Sequence, residues 1–242
     1  MQSSRALERT NVLPRDRLIV ALDFPKLDDA RRMVDQLGDS VSFYKIGLEL
    51  VMQGGLSYVR ELSRQNKRVF LDMKVLDIGH TVERAVASAA ETGATFLTVH
   101  GIDTKTIKAA VAGREGSNLK VLAVTVLTNL NAADLAEQGI LKSPSDMVVH
   151  RARIAMEAGC DGVIASGQEA SMVRRATGDD FLIVTPGIRM PDDDAGDQSR
   201  VTTPATAIID GANYLVVGRP ITQADDPAAA VQAFAAAIAS AA

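Results

Sequence analysis

The sequence predicts an α/β protein built as a single (β/α)8 TIM barrel. Three observations carry this expectation. Eight short β-rich runs recur along the chain at a mean spacing of roughly 30 residues, with helical patterns between them. Most of these runs are continuously apolar, as parallel strands are when one face meets helices and the other packs inside. The length of 242 residues, 47% hydrophobic and 23% charged, suits one such folded domain. An open doubly wound sheet is the competing arrangement, but no GxGxxG follows the first strand to support it.

Arg17–Asp23 (RLIVALD) reads as the first strand. Asp28–Leu37 opens with acids and stops before Gly38, so it reads as a helix with a glycine C-cap. Val41–Ile46 and Arg68–Lys74 are the second and third strands, with a helix over Leu56–Gln65 between them. Helix Thr81–Thr92 leads to strand Thr95–His100, and helix Thr104–Gly113 to strand Leu119–Leu127. Helix Ser145–Ala158, strand Gly162–Ser166, helix Glu169–Ala176 and strand Phe181–Thr185 follow. Helix Pro204–Asp210 and strand Asn213–Gly218 complete the alternation. Ala228–Ala242 is apolar but Ala-rich and follows Asp225-Asp226-Pro227, a helix start, so it reads as a packed final helix and not a membrane span. With no linker or composition break, the expectation is one domain over residues 1–242, residues 1–15 being an N-terminal extension.

Composition excludes several functions. Thirty acidic against 26 basic side chains give a formal charge of −4, which argues against a nucleic-acid binder. One cysteine, Cys160, rules out an internal disulfide framework and a multi-cysteine zinc site. His80, His100 and His150 form no obvious metal set, and neither HExxH nor CxxC occurs. The first residues, MQSSRALERTNVLPRD, have no apolar core of a signal peptide, and a reducing cytoplasm is the expected location.

The residues that break the apolar pattern stand where strands end, which in a barrel is the active-site face. Asp23 ends the first strand, the second carries Lys45 shortly before Gly47, and the third carries Asp72 and Lys74, with Asp77 just beyond. Buried charge is costly unless paired or used. Asp72 and Lys74 are two apart and so share a face, opposite Leu71, Met73 and Val75. Lys45 on the adjacent strand lies beside Asp72, and an alternating row of Lys, Asp, Lys and Asp is expected. Across the mouth, Thr185-Pro186-Gly187-Ile188-Arg189 and Gly218-Arg219-Pro220 follow strands seven and eight, the usual phosphate-binding loops of this fold. Glycine lets backbone N–H groups approach phosphate oxygens and arginine clamps them, so a phosphorylated substrate is expected. Met190–Val201 between these loops is polar and reads as a mobile lid from which Gln198 reaches the ligand; its Asp192–Asp194 run reads as a solvated turn.

At this point the chain resembles the orotidine 5′-phosphate decarboxylases. Leu71-Asp72-Met73-Lys74-Val75-Leu76-Asp77-Ile78-Gly79-His80-Thr81 is similar to the family's DxKxxDI…T signature. Val20-Ala21-Leu22-Asp23, Tyr44-Lys45-Ile46-Gly47, Thr185–Arg189 and Val217-Gly218-Arg219 match in order and spacing. Val75-Leu76 and Gly79-His80 depart from the Phe-His and Pro-Asn of many bacterial members, and His100-Gly101-Ile102-Asp103 departs from their Ala-Ser-Gly-like loop. The resemblance implies decarboxylation of orotidine 5′-monophosphate to uridine 5′-monophosphate in de novo pyrimidine synthesis. It implies no metal and no organic cofactor. It implies a homodimer in which Asp77 and nearby residues reach into the partner's site. Lys74 would protonate C6, Asp72 would face the substrate carboxylate, and Lys45 and Asp77 would hold both in place. Asp23, Lys45 and Thr81 would hold the ribose, Thr128 the pyrimidine edge, and Arg189, Gln198, Gly218 and Arg219 the phosphate; Ile78 and Pro186 complete the substrate-binding set. Rival readings are a metal-dependent sugar-phosphate aldolase or epimerase of the same barrel superfamily and a barrel that binds nucleotides without turnover.

Overall fold

A computed structural model describes residues 12–191 and 201–241. Eight parallel strands close into a barrel in sequence order, β8 pairing back with β1. The strands are β1 (Leu18–Ala21), β2 (Phe43–Gly47), β3 (Arg68–Val75), β4 (Phe96–His100), β5 (Lys120–Val124), β6 (Gly162–Ile164), β7 (Leu182–Thr185) and β8 (Tyr214–Val217). The helices are α1 (Leu27–Leu37), α2 (Leu48–Met52), α3 (Gly55–Arg64), α4 (Gly79–Ala90), α5 (Thr104–Gly113) and α6 (Ala132–Glu137). They continue with α7 (Pro144–Glu157), α8 (Ala170–Thr177), α9 (Pro204–Ile209), α10 (Arg219–Thr222) and α11 (Pro227–Ala239). The expected TIM barrel is what the chain forms.

The continuous apolar runs follow from two separate apolar layers. Odd and even positions along each strand enter different cores, because successive side chains alternate in direction. Leu18, Val20, Tyr44, Ile46, Val69 and Leu71 pack outward with the helices. Ile19, Ala21, Phe43, Phe70, Phe96, Leu122, Val184 and Val216 fill the barrel interior. Phe96 stands at the centre of the inner layer, its ring centroid 5.1 Å from Phe43, 5.2 Å from Tyr214 and 6.1 Å from Phe70. These tilted and edge-on contacts are the favoured aromatic geometry. They make an aromatic floor across the barrel.

Three short helices, α2, α6 and α10, lie in segments read from sequence as loops. Each is too short to show an amphipathic period. α6 carries its signal in its cap: Asn131 accepts from the backbone of Ala133 and Asp134, and Asp134 accepts from the Asn131 backbone. That is a capping box with Asp in place of Glu. The fifth strand is also shorter than expected, ending at Val124 and not Leu127; Thr125 still donates to the Ile164 carbonyl of β6, while Val126 and Leu127 line the mouth of the barrel.

Candidate active site

The charges of the mouth sit one layer above the aromatic floor. Side chains two apart on a strand share a face. Asp23 therefore stands above Ala21, Lys45 above Phe43, Asp72 above Phe70 and Thr98 above Phe96. Asp23, Lys45, Asp72 and Lys74 line a cavity of about 410 Å3 at this end of the barrel. Its other wall carries Pro186, Gly187, Arg189, Gly218 and Arg219 from the loops after β7 and β8, and Thr128 from the segment after β5.

The row is tightly bonded. Lys45 Nζ donates to Asp23 Oδ1 at 2.8 Å and lies 3.7 Å from Asp72 Oδ2. Lys74 Nζ donates to the same Asp72 oxygen at 2.8 Å. The remaining oxygen, Asp72 Oδ1, accepts the Thr98 hydroxyl at 2.7 Å. Burial on its own would push the Asp72 carboxyl up. The charges of Lys45 and Lys74, with the hydrogen bonds from Lys74 and Thr98, outweigh it and hold the group below its ordinary value. Asp72 is thus an anion with every oxygen engaged, between two ammoniums.

Lys74 reaches its place by an irregularity that a regular strand does not predict. Its φ is +49°, in the left-handed region that non-glycine residues avoid. From Leu71 to Val75 β3 advances four residues while β4 advances two, Leu97 to Val99. β3 therefore arches away from its neighbour at Asp72–Lys74. Gly47 makes room beside the row, since a Cβ there would lie 3.2 Å from Lys45 Nζ and 3.3 Å from Asp23 Oδ1. Gly187 has φ +73°, a backbone conformation glycine adopts without strain.

Asp77, Ile78 and Thr81 stand apart from this cavity. All three are exposed, and Asp77 accepts the backbone N–H of Ile78 at 2.7 Å. β3 ends at Val75 and the chain turns outward before α4, so within one chain the fourth charge of the row is Asp23, not Asp77. Gln198, Asp192–Asp194 and most of the Met190–Val201 segment lie outside the described residues. Arg189 is buried and donates to the Ile188 carbonyl at 2.8 Å, while Arg219 is exposed. Of the departures from the family pattern, Val75 packs towards the helices and Leu76 and His80 are exposed, whereas His100 stands near Lys74 and Asp72.

Two residues of the mouth escaped the sequence reading. Thr98 carries no charge and sits in an apolar strand, yet its position two before His100 and two after Phe96 puts it on the inner face. Arg151 reaches from α7 to donate to the Thr125 carbonyl at 2.5 Å. His100 is half-buried at the end of β4, and burial, reinforced by the charges of Lys74 and Arg151, lowers its pKa, so it is neutral at neutral pH. Among the described residues no cluster of His, Cys, Asp and Glu could hold a metal ion, and no helix is long and apolar enough to cross a membrane.

Residues 16–234 match the orotidine 5′-phosphate decarboxylase / HUMPS family. The chain belongs to this family. It is 54% identical over 221 residues to the orotidine 5′-phosphate decarboxylase of Nitrobacter winogradskyi, covering 91% of this chain and 92% of that one. It is 53% identical over 227 residues to the enzyme of that name from Rhodopseudomonas palustris, covering 94% and 96%. The crystal structure of orotidine 5′-phosphate decarboxylase from Lactobacillus acidophilus superimposes with a TM-score of 0.82 at 36% identity, covering 92% of this chain and 99% of that one. The closed eight-stranded barrel is therefore the fold this chain shares with a solved orotidine 5′-phosphate decarboxylase.

Proposed function

We propose that this chain decarboxylates orotidine 5′-monophosphate to uridine 5′-monophosphate, the step that completes a pyrimidine nucleotide. The observation that carries the reading is the Lys45–Asp72–Lys74 array above the floor of a cavity walled opposite by Arg189 and Arg219. The names of relatives at 54% and 53% identity support it.

Loss of CO2 breaks the C6–carboxyl bond and leaves its electron pair on C6, with little ring delocalisation. Catalysis must then come from charge already in place, because preorganised charges need no rearrangement during the reaction. The Lys74 ammonium lies beside C6, stabilises the pair and transfers its proton to C6; the neutral amine regains a proton from solvent. Asp72 faces the substrate carboxylate, and their repulsion is relieved as CO2 leaves. Lys45 holds Asp72, and Asp23 holds Lys45 while reaching the ribose. Thr128 and Pro186 flank the base. Gly218 and Arg219 with Arg189, joined by Gln198, hold the phosphate, whose binding energy orients the base.

The reading needs no metal or organic cofactor. A metal-dependent aldolase or epimerase would use Asp72 as a ligand. Here that carboxylate is saturated by Lys74, Lys45 and Thr98, and a cation would have to displace two ammoniums.

The working unit is a homodimer. Leu48 and Met52 follow β2, and Leu76 and Ile78 follow β3, the neighbouring strand; they are 47%, 79%, 48% and 75% exposed. Such an apolar edge suits a second copy of the chain. Asp77, Ile78 and Thr81 lie along it and would complete the partner's site. The expected location is the cytoplasm, with no nucleic-acid or membrane partner.

The test follows orotidine 5′-monophosphate by ultraviolet absorbance in the presence of EDTA. Wild type should turn over at full rate, and Lys74→Ala should lose several orders of magnitude in kcat while keeping its fold. A folded, inactive wild type sinks the decarboxylase; activity abolished by EDTA favours the metal-dependent relatives.

A further inference from the structure

We infer that Thr98 is a positioning residue for this reaction: its one hydroxyl holds the Asp72 carboxylate and the Lys74 backbone at the same time, and so sets the separation of the two groups. The inference rests on the decarboxylase reading. Thr98 is fully buried on β4. Its Oγ1 donates to Asp72 Oδ1 at 2.7 Å and accepts from the Lys74 backbone N–H at 3.0 Å. The direction of both bonds is forced. An N–H has no lone pair to offer, so the hydroxyl accepts there, and its one proton goes to the carboxylate.

Each bond compensates for a feature of the arched strand. In a regular β3 the Lys74 N–H would point to β2, as that of Arg68 does to the Ser42 carbonyl; the four-against-two register of β3 and β4 turns it towards β4, where no ladder carbonyl stands opposite. The hydroxyl gives it an acceptor, in the residue whose φ is +49°. A buried donor left unpaired there would favour a relaxed, extended Lys74 and move its ammonium. The second bond occupies Asp72 Oδ1, so that Oδ2 alone faces Lys74 at 2.8 Å and Lys45 at 3.7 Å. Without it the carboxylate is free to rotate and offer both oxygens to the ammoniums.

Valine matches threonine in shape and lacks the hydroxyl, and serine keeps it. Thr98→Val should leave melting and circular dichroism near wild type and lower kcat about 10- to 100-fold, the usual effect of losing a hydrogen bond to a charged group. KM, and uridine 5′-monophosphate affinity by calorimetry, should change less than about threefold. The acid limb of the kcat/KM profile should move to higher pH, because Asp72 loses a donor to its charged form. The other groups facing Asp72 are Lys45, Lys74 and His100, with Asp23 and Arg151 behind them, and all are unchanged. Thr98→Ser should recover most of kcat and the wild-type acid limb. If Thr98→Val does not fold, Thr98→Ala is read in its place. A hydroxyl-free variant with undiminished kcat overturns the inference, as does an unmoved acid limb or a serine variant as slow as valine. Wild type is assayed alongside: no wild-type turnover overturns the reaction itself, whereas an active wild type beside an equally active valine variant overturns only the role of Thr98.

Discussion

Asp72 is a carboxylate that its neighbours, not water, keep charged. Its depressed pKa has a consequence for stability as well as for catalysis. A carboxyl whose folded pKa lies below its ordinary value of 3.8 contributes stability above that value, and loses it as pH falls through the folded pKa. The acid side of the stability curve should therefore steepen below about pH 4. Asp72→Asn cannot take up that proton, so its urea midpoint should be lower at pH 7 and fall less between neutral and strongly acid pH than wild type. A variant that parallels wild type at every pH would remove Asp72 from the acid response. Cys160 shows the opposite balance. Burial dominates there and pushes the thiol up to about 12, with its Sγ 2.9 Å from the Val121 carbonyl. It should ignore thiol reagents in the native protein and react only on unfolding.

At the scale of elements, β6 is tightly fitted against β7. It has three residues, and a Cβ on Gly162 would lie 2.4 Å from the Leu182 carbonyl oxygen and 2.5 Å from the Leu182 Cβ. Gly162→Ala should destabilise the barrel by about 1–3 kcal/mol, read as a lower denaturation midpoint. Elements of this kind were legible in the sequence because both layers of a barrel are apolar, so strands appear as unbroken Val, Ile and Leu runs. The charges at strand ends were legible for the same reason, as exceptions to those runs. What escaped was local. The arch of β3 leaves no periodic trace, since Asp72 and Lys74 keep a spacing of two whatever the backbone does between them. Thr98 passed as an ordinary β-branched strand residue, although the inner-face rule that singled out Asp72 applies to it equally. α2, α6 and α10 are too short for a period, and only the Asn131–Asp134 pair marked one of them.

For the whole molecule, the separation of Asp77 from the Asp23–Lys45–Asp72–Lys74 row is the feature that asks for a second chain. In the proposed dimer each site takes Lys74 from one protomer and Asp77 from the other. Lys74→Ala and Asp77→Ala homodimers should both be nearly inactive. Mixed and allowed to exchange subunits, they should regain roughly a quarter of the wild-type sites, because in each mixed dimer of a two-fold assembly one site carries both lesions and the other neither. No recovery on mixing, with exchange shown by a mass-tagged subunit, would place Asp77 in its own protomer's site. The aromatic floor acts at this scale too. Phe43, Phe70, Phe96 and Tyr214 stop the barrel below the charges, so the cavity is a blind well and not a channel. Traffic is then two-way through one opening. The nucleotide product must vacate the well before the next substrate enters, and each blocks the other's path. Uridine 5′-monophosphate should accordingly raise the apparent KM without lowering the limiting rate, and the departing CO2 must escape past the nucleotide that released it.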